Sequence, residues 1–372
     1  MLKLGIISGS PSEIDIGKRV SLSVLRFLSK RIRYSLLVLW GVVTLVFFLF
    51  NVLPGDPARL VMGQRADAAS IENARRDMNL DKPLFTRYLL YLNDISPIGW
   101  HPKAEQEKYG FVQLIPAGER CLALKWPYLG RSYSSKREVT ATLGEALPGT
   151  LILALTAMIL ATIGGIFLGI VAALKKNTWM DTASIAASVA GISMPSFFAG
   201  LIIAYVFGYL LHSFTGLNMT GSLWYYDAFT GRHLALQNLL LPAVALGIRP
   251  LAIITQLTRS AMLDVLSQDY IRTAYAKGLS TSQVVWRHAL PNALNPVVTA
   301  VTGWLAELLA GSFFIEYIFG WKGIGKITVE ALDKFDFPVV MGSVLLTASL
   351  FIIINLLTDL LYAKIDPRVR LS

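Results

Sequence analysis

Few side chains in this chain are placed to do chemistry. The 372 residues include one cysteine, Cys121, and no histidine has a partner at metal-ligand spacing. The four histidines are His101, His212, His233 and His288. We therefore predict a non-catalytic chain with no metal site and no cofactor. Cys121 is interpreted as a small apolar residue in a buried position.

One stretch imitates a phosphate-binding loop. Residues 320–326, GWKGIGK, satisfy the pattern G-x-x-x-x-G-K. A nucleotide site needs Ser or Thr at the next position to hold magnesium, but that residue is Ile327, and no buried strand precedes the loop. The sequence therefore predicts that this chain binds no nucleotide.

Three ionisable residues lie within apolar runs: Arg249, Glu307 and Asp359. A charge in mid-bilayer costs on the order of 3 kcal/mol or more, so each needs a partner or water. Arg249 and Glu307 fall at comparable depths of consecutive runs, and we predict that they pair inside the helix bundle. The pair would either hold the two helices in register, with no role in transport, or lie near a translocation path. Asp359, near the end of the last run, is expected to snorkel to the surface.

The elements that position these residues are membrane spans. The chain is 54% hydrophobic and 16% charged, whereas soluble domains carry about 25% charged residues. A bilayer core requires about 20 apolar residues per helix. We predict an all-α polytopic membrane protein with six transmembrane helices. The apolar runs are 34–52, 150–174, 183–211, 239–257, 295–314 and 339–361.

The runs divide the chain into five parts. These are a basic arm (1–33), a first transmembrane helix (34–52), an insertion (53–147), a five-helix domain (148–362) and a tail (363–372). The first run is too long for a signal peptide, so we interpret it as an uncleaved span. We expect the insertion to be a small folded extracytoplasmic unit with helical character at 72–77 and 83–92.

The basic residues indicate the orientation. The net charge of +10 is concentrated in short segments, with seven Lys and Arg in 1–33, four in 259–291 and three in 363–372. The positive-inside rule places both termini and the 259–291 loop in the cytoplasm, so we expect a multi-pass protein with cytoplasmic N- and C-termini. Because topology explains the excess charge, no nucleic-acid partner is predicted.

The 269–291 segment is a polar island with helix signals. We predict a helix from 269 to 277, a left-handed residue at Gly278, and a capping box between Ser280 and Gln283 that opens a second helix. This second helix has an apolar face and is expected to stop at Pro291; the face comprises Val284, Val285, Trp286 and Leu290. Two capped helices favour a docking element over a plain connector. An amphipathic helix lying on lipid is the alternative.

The same residues resemble a known motif. Permease subunits of ATP-driven importers carry Glu-Ala-Ala, three residues, Gly, nine residues, Ile, one residue, Leu-Pro. Alignment on Gly278 gives Ala274, Gly278, Leu290 and Pro291 in register, with Arg272, Thr273 and His288 as departures. The segments LPGDP (53–57), SMPSF (193–197), WKGIG (321–325) and DPR (366–368) also resemble the dipeptide/oligopeptide branch of this family.

The resemblance implies a permease subunit of the plasma (inner) membrane, without catalytic activity of its own. Its implied partners are cytoplasmic ABC ATPase subunits, a second permease subunit, an extracytoplasmic solute-binding protein and the lipid bilayer. In the coupling loop, Tyr270, Ile271 and Tyr275 would supply apolar contact, and Arg272 and Lys277 would meet acidic rims. Ala274 and Gly278 would be small so that a partner's groove can close on them.

Two other classes stay open on the sequence alone. A secondary transporter or channel would use Arg249 and Glu307 on its path, and helix breaks at Pro195 and Pro250 are compatible with it. A membrane-embedded enzyme would need a catalytic pair within the spans. The transported solute also stays open among peptides, nickel, sugars and other small solutes, as does pairing with itself or with a sister permease.

Overall fold

The computed structural model describes residues 13–52, 58–59, 67–227 and 229–365. The start of the predicted basic arm, the LPGDP motif and the DPR motif of the tail lie outside these residues.

Helices make up most of the described chain. In order they are α1 (Glu13–Val52), α2 (Ala68–Asp77), α3 (Leu84–Ile95), α4 (Gln106–Tyr109), α5 (Val139–Leu174), α6 (Trp179–Ser193), α7 (Ser196–Tyr205), α8 (His212–Thr215), α9 (Gln237–Leu266), α10 (Asp269–Ala276), α11 (Thr281–Val284), α12 (Leu290–Ala293), α13 (Asn295–Gly311), α14 (Phe313–Ile318), α15 (Ile324–Asp333) and α16 (Phe337–Ile365). A 3₁₀ turn covers Lys103–Glu105, and π-helical turns cover Val206–Leu210 and Val285–Ala289. The strands are β1 (Ile98–Pro102), β2 (Val112–Ala117), β3 (Arg120–Leu124), β4 (Trp224–Asp227) and β5 (Gly231–Leu234).

The long helices account for most of the predicted spans. Within the described residues, four are long and apolar enough to cross a membrane: Ser29–Asn51, Val139–Leu174, Gln237–Leu266 and Phe337–Leu360. Trp179–Ser193 and Ser196–Leu210 qualify only as a pair bent by 110°, which is either a broken span or a re-entrant loop. The predicted fifth run forms α13, which has 17 residues. The chain is thus a mostly helical membrane protein with four or five candidate spans.

The bend between α6 and α7 lies at Met194 and Pro195. Both residues have extended ψ angles, 128° and 133°. The proline ring disfavours helical geometry at the residue before it, so the helix ends there and restarts at Ser196. The helix break considered at Pro195 is therefore present, whereas Pro250 lies inside the continuous helix α9.

The all-α prediction is wrong for the segments outside the spans. Residues 98–124 form a three-stranded antiparallel sheet in the order β1-β3-β2, and β4 and β5 form a hairpin. On β1 and β3 the buried positions alternate with exposed ones, as a half-buried strand requires. Cys121 is buried in the small core of this sheet beside Phe111 and Ala123, which confirms its interpretation as an apolar residue.

The insertion packs on the first span, and the helix that follows it begins earlier than predicted. α5 begins at Val139, so the predicted boundary at residue 147 lies inside a helix. The predicted helical stretches at 72–77 and 83–92 are confirmed as α2 and α3. α3 packs on α1, where the hydroxyls of Tyr88 and Thr44 are 2.6 Å apart and Tyr91 stacks on Phe47.

The two outermost spans also meet. The guanidinium of Arg31 on α1 lies 2.5 Å from the carboxylate of Asp359 on α16. Asp359 is therefore paired within the chain, where the sequence predicted that it would snorkel. The contact joins the beginning of the first span to the end of the last one.

The core lies where α5 crosses α9. Small residues on α5 allow the close approach: a Cβ on Gly165 would lie 2.7 Å from Ile254, and one on Gly169 would lie 2.5 Å from Thr258. Both distances are below van der Waals contact, so any larger side chain would push the helices apart. The C-terminal ends of α5 and α9 therefore lie close together, and both pack against the 269–291 segment.

Candidate functional site

The candidate coupling element consists of residues 269–293, with α10, a glycine turn, α11, a π-helical turn and α12. α10 ends in a Schellman motif. The amide of Leu279 donates to the carbonyl of Ala274 at 3.4 Å, and that of Gly278 donates to Tyr275 at 2.9 Å. Gly278 has φ +80°, the left-handed conformation that the sequence predicted.

The second helix of the element begins with the predicted capping box. The Gln283 amide donates to Oγ of Ser280 at 3.4 Å, and the Ser280 amide donates back to Oε1 of Gln283 at 3.1 Å. These two bonds satisfy donors that a helix start otherwise leaves open. The turn is therefore fixed on both sides of Gly278 by local hydrogen bonds.

The inner face of the element packs on the membrane domain. Ile271 and Ala274 of α10 and Val284 and Val285 join one apolar cluster with Ile170 of α5 and Met262 of α9; Ala173, Ala289, Leu290 and Ala293 complete it. Burial of each large aliphatic side chain contributes about 1.5–3 kcal/mol. The element is thus anchored to the ends of α5 and α9.

The outer face of the element is open and carries aromatic and basic side chains. Tyr270 and Tyr275 are each 43% exposed and Trp286 is 63% exposed. Arg272, Lys277 and Gly278 are exposed beside them. The Tyr270 hydroxyl also accepts a bond of 3.1 Å from Asn292, which ties α10 to α12.

The structure corrects four details of the predicted element. Ile271 is 1% exposed, and it and Ala274 pack into this chain's own core, so neither offers an outward contact. Trp286 does not lie on the buried face with Val284 and Val285. Pro291 is exposed and does not stop the helix, because the wider turn at Val285–Ala289 precedes the proline and the helical path runs on through α12 towards α13.

An ion pair that the sequence analysis missed lies next to the element. Arg259 on α9 donates twice to Asp181 on α6, from Nε at 2.5 Å and from Nη2 at 2.8 Å. The amide of Asn177 also donates to Asp181 at 3.0 Å. The pair ties the start of α6 to α9 one helical stretch before the coupling element. The sequence places Asp181 and Arg259 at the same predicted face of the membrane, and these two opposite charges could have indicated the pair.

The predicted pair between Arg249 and Glu307 does not form. Both side chains are described and both are exposed, and no ion pair joins them. The guanidinium of Arg249 instead lies over the ring of Trp304 on α13, 5.7 Å from its centroid. Trp304 is one helical turn before Glu307, so the guanidinium meets the ring before it reaches the carboxylate.

The loop that imitates a phosphate site is filled by the chain itself. The amides of Gly325 and Lys326 donate to Oε2 of Glu316 at 2.7 and 3.2 Å. Ser312 donates to the other carboxylate oxygen at 2.7 Å. Glu316 is fully buried, so an internal carboxylate occupies the helix start that a phosphate would need. The sequence analysis did not single out Glu316.

The segment that contains residues 320–326 is joined to α5 by two further bonds. The indole of Trp321 donates to the Gly149 carbonyl at 2.9 Å, and the Ile324 amide donates to Oγ1 of Thr150 at 2.9 Å. Nearby, Asp336 accepts bonds from the amides of Tyr133 and Ser134 at 3.0 and 3.2 Å. These contacts fix the segment between α13 and α16 to the rest of the chain.

Two family models match the chain. Residues 165–371 match the binding-protein-dependent transport system inner membrane component, and residues 24–154 match the N-terminal part of such membrane components. The first match includes the coupling element, Arg259, Arg249 and Glu307. Together the two matches cover nearly all of the described residues.

Curated relatives match over almost the whole chain. The di/tripeptide transport system permease protein of Pseudomonas aeruginosa (strain UCBPP-PA14) is 36% identical over 362 residues, covering 93% of this chain and 99% of that protein. The glutathione transport system permease protein of Escherichia coli (strain K12) is 35% identical over 347 residues, with 93% and 99% covered.

A solved structure of the MetNI methionine ABC transporter in an inward-facing conformation covers 61% of this chain and 98% of that chain, at 19% identity and a TM-score of 0.48. The extent of the family match and the identity to the curated permeases decide the assignment. This chain belongs to the family of binding-protein-dependent transport system inner membrane components and is the multi-pass, non-catalytic permease component of an ABC importer.

Proposed function

We propose that this permease forms part of the translocation path for short peptides, of the size of a di- or tripeptide or glutathione, and that residues 269–291 couple it to a cytoplasmic ABC ATPase. The substrate class is supported by the relatives that share 35–36% identity over 93% of the chain. The coupling role is supported by the geometry of the element.

The observation that carries the coupling role is the division of the element into two faces. Its inner face is buried against α5 and α9, while its outer face presents Tyr270, Tyr275 and Trp286 to the surroundings. Exposed aromatic residues beside basic ones are typical of protein contact surfaces. A partner that pushes on the outer face would therefore move the ends of α5 and α9.

The connection to α13 extends this transmission. Successive helical bonds run from Leu290 to Leu294 at 3.0 Å and from Leu294 to Val298 at 2.9 Å. The element is thus continuous with a helix that lines the core of the membrane domain. Movement of α10–α12 would pass into α13 without an intervening flexible loop.

The assembly we propose contains two ATPase subunits, this permease, a second permease and an extracytoplasmic solute-binding protein. A sister chain is the favoured second permease. ATP binding and hydrolysis occur in the ATPase partners. The carboxylate of Glu316 fills the one loop of this chain that resembles a phosphate site.

The topology we propose has six spans with both termini in the cytoplasm. The bent pair α6–α7 and the shorter α13 would complete the four long helices. The Arg31–Asp359 contact supports placing the two termini on one side, since it joins the start of the first span to the end of the last. The basic residues of 1–33, 259–291 and 363–372 favour the cytoplasmic side.

A pull-down in mild detergent tests the coupling role. The tagged chain is purified from its native membrane and the accompanying proteins are identified by mass spectrometry. Wild type is expected to recover an ABC ATPase. Gly278→Val should lose it, because a β-branched residue at φ +80° is strained by about 1–2 kcal/mol or more and displaces the Schellman turn.

Gly278→Asn is the matched control. Asparagine tolerates the left-handed conformation, and a Cβ at this position meets no neighbouring atom. We expect it to keep most of the ATPase if the backbone conformation is what matters. Normal ATPase recovery with Gly278→Val, at equal membrane levels, would contradict the proposed role.

A further inference from the structure

Arg249 and Glu307 carry opposite charges, and neither forms an ion pair with any residue that the structure describes. Arg249 lies in the middle of α9, 12 residues after Gln237, and Glu307 lies 12 residues after the start of α13. Both side chains are exposed on the isolated chain, and they form no ion pair with each other or with another described residue.

A lipid-facing position for these charges is excluded on energetic grounds. An ionised side chain inside the bilayer costs on the order of 3 kcal/mol or more unless water or another charge meets it. α9 and α13 share one apolar cluster through Leu246 and Leu308, and Arg249 of α9 lies 5.7 Å from the ring of Trp304 on α13, so the two charges belong to helices that pack together. This side of the two helices must therefore face a water-filled path or another subunit.

The setting of Arg249 suits it to bind a carboxylate. Its guanidinium lies over the ring of Trp304, 5.7 Å from the centroid, and is exposed. The planar N–H donors of a guanidinium match the two oxygens of a carboxylate. Glu307, one turn after Trp304 on the same helix, supplies acceptors for a cation.

We propose that Arg249 and Glu307 form a subsite on the translocation path for the two charged termini of a short peptide. Arg249 receives the C-terminal carboxylate and Glu307 the N-terminal ammonium. This inference rests on the proposed peptide substrate. The separation of the two side chains is part of the argument, because charges that neutralised each other would have no capacity left for a zwitterion.

Uptake by the complete transporter with its binding protein and ATPases provides the first test. A labelled dipeptide, its C-terminal amide and its N-acetyl form are supplied at saturating concentration to wild type, Arg249→Gln, Glu307→Gln and Arg249→Lys. Because the binding protein is unchanged, its own preferences cancel when the variants are compared. Membrane levels of each variant are measured alongside.

The expected result is a selective loss. In Arg249→Gln the preference for the free acid over the amide should fall about tenfold, since one charge-assisted contact is removed. In Glu307→Gln the preference for the free amine over the N-acetyl form should fall similarly. Arg249→Lys, which keeps the charge but loses the paired donors of the guanidinium, should retain only part of the wild-type preference.

Photo-crosslinking provides a second readout that needs one peptide only. A dipeptide containing p-benzoylphenylalanine, irradiated during turnover, should label wild type near Trp304 on α13, and Arg249→Gln should reduce this label about tenfold. Labelling that is unchanged in Arg249→Gln, or confined to other helices, would overturn the subsite.

Two further outcomes would also overturn it. Unchanged preferences in both Gln variants, with wild type taking up peptides, would sink the subsite but leave the peptide permease intact. Rescue of two inactive single variants by the exchange Arg249→Glu with Glu307→Arg would reveal a structural ion pair. Wild type that takes up no peptide in an ATP-dependent manner would remove the proposed function itself.

Discussion

Two segments of this permease share one local motif and differ in what surrounds it. Gly278 follows α10 with φ +80°, and Gly320 follows α14 with φ +63°. Each glycine completes a Schellman turn; after α14 the Trp321 amide donates to the Glu316 carbonyl at 2.8 Å. The first turn is exposed, whereas Trp321 in the second is fully buried.

The difference lies in how the next helix is capped and what it contacts. α11 is capped locally by Ser280 and Gln283 and leaves an aromatic face open. α15 is capped by the buried carboxylate of Glu316, and its first turn is bonded to Thr150 on α5. A shared turn therefore serves a fixed structural segment in one case and an open contact surface in the other.

The largest effect is expected from Glu316→Ala. The substitution leaves the amides of Gly325 and Lys326 and the hydroxyl of Ser312 without their acceptor in a buried place. Each unsatisfied buried group costs about 1–3 kcal/mol, so the free energy of unfolding should fall by about 3–5 kcal/mol. Thermal unfolding of the purified protein in detergent measures the loss.

Glu316→Gln is the control for this comparison. Glutamine keeps the shape and one acceptor oxygen, so its loss should be clearly smaller than that of alanine. A Glu316→Ala protein with the melting temperature of wild type would show that the segment around residues 320–326 does not depend on the Glu316 carboxylate.

A smaller effect separates the two faces of α10. Ile271→Ala removes a buried side chain and should lower the free energy of unfolding by about 2–4 kcal/mol. Tyr275→Ala, on the open face, should change stability by about 0.5 kcal/mol or less but weaken ATPase recovery. Thermal unfolding and pull-down on the same preparations check both, and the reverse pattern would invert the assignment of faces.

Loss of the Asp181–Arg259 pair should come next. Asp181→Asn weakens two charge-assisted bonds from Arg259, and we expect stability to fall by about 1–3 kcal/mol. Because the pair holds α6 to α9, peptide uptake should fall as well. The exchange Asp181→Arg with Arg259→Asp should recover part of both losses, and a double variant that is worse than either single one would argue against a direct interaction.

The smallest effect is expected from Gln283→Ala. It removes one half of the capping box, worth about 0.5–1 kcal/mol, and leaves the Schellman turn in place. Hydrogen exchange of the Ser280 amide should become faster, while ATPase recovery changes little. A complete loss of ATPase binding in this variant would mean that the element depends on its cap more than on its buried face.

Local signals in the sequence predicted much of the coupling element and most of the spans. The capping box, the left-handed glycine and most apolar runs depend on residues within a few positions of each other, and the structure contains them. The early start of α5 was missed because its apolar positions Val139 and Leu143 are spaced within a polar segment and pack on distant residues of α15 and α16.

The contacts between distant segments were the part that sequence patterns left undetermined. Ile271 on α10 was predicted to face a partner, but it meets Met262 and Ile170 from two other helices. Arg249 was paired with Glu307 by depth alone, and depth does not reveal that the guanidinium lies over the ring of Trp304 instead. The carboxylate of Glu316 was missed for the same reason, since its partners include Thr150 on another helix.

Disulfide crosslinking of single cysteines on α10 tests the central claim most directly. In a Cys121→Ala background, cysteine is placed at the exposed positions Arg272 and Tyr275 and at the buried position Ala274, and cysteines are introduced across the surface of the co-purified ATPase. The proposed coupling element predicts crosslinks to the ATPase from 272 and 275 that change with ATP, and none from 274. Absence of crosslinks from both exposed positions in a transporter that still takes up peptide would contradict it.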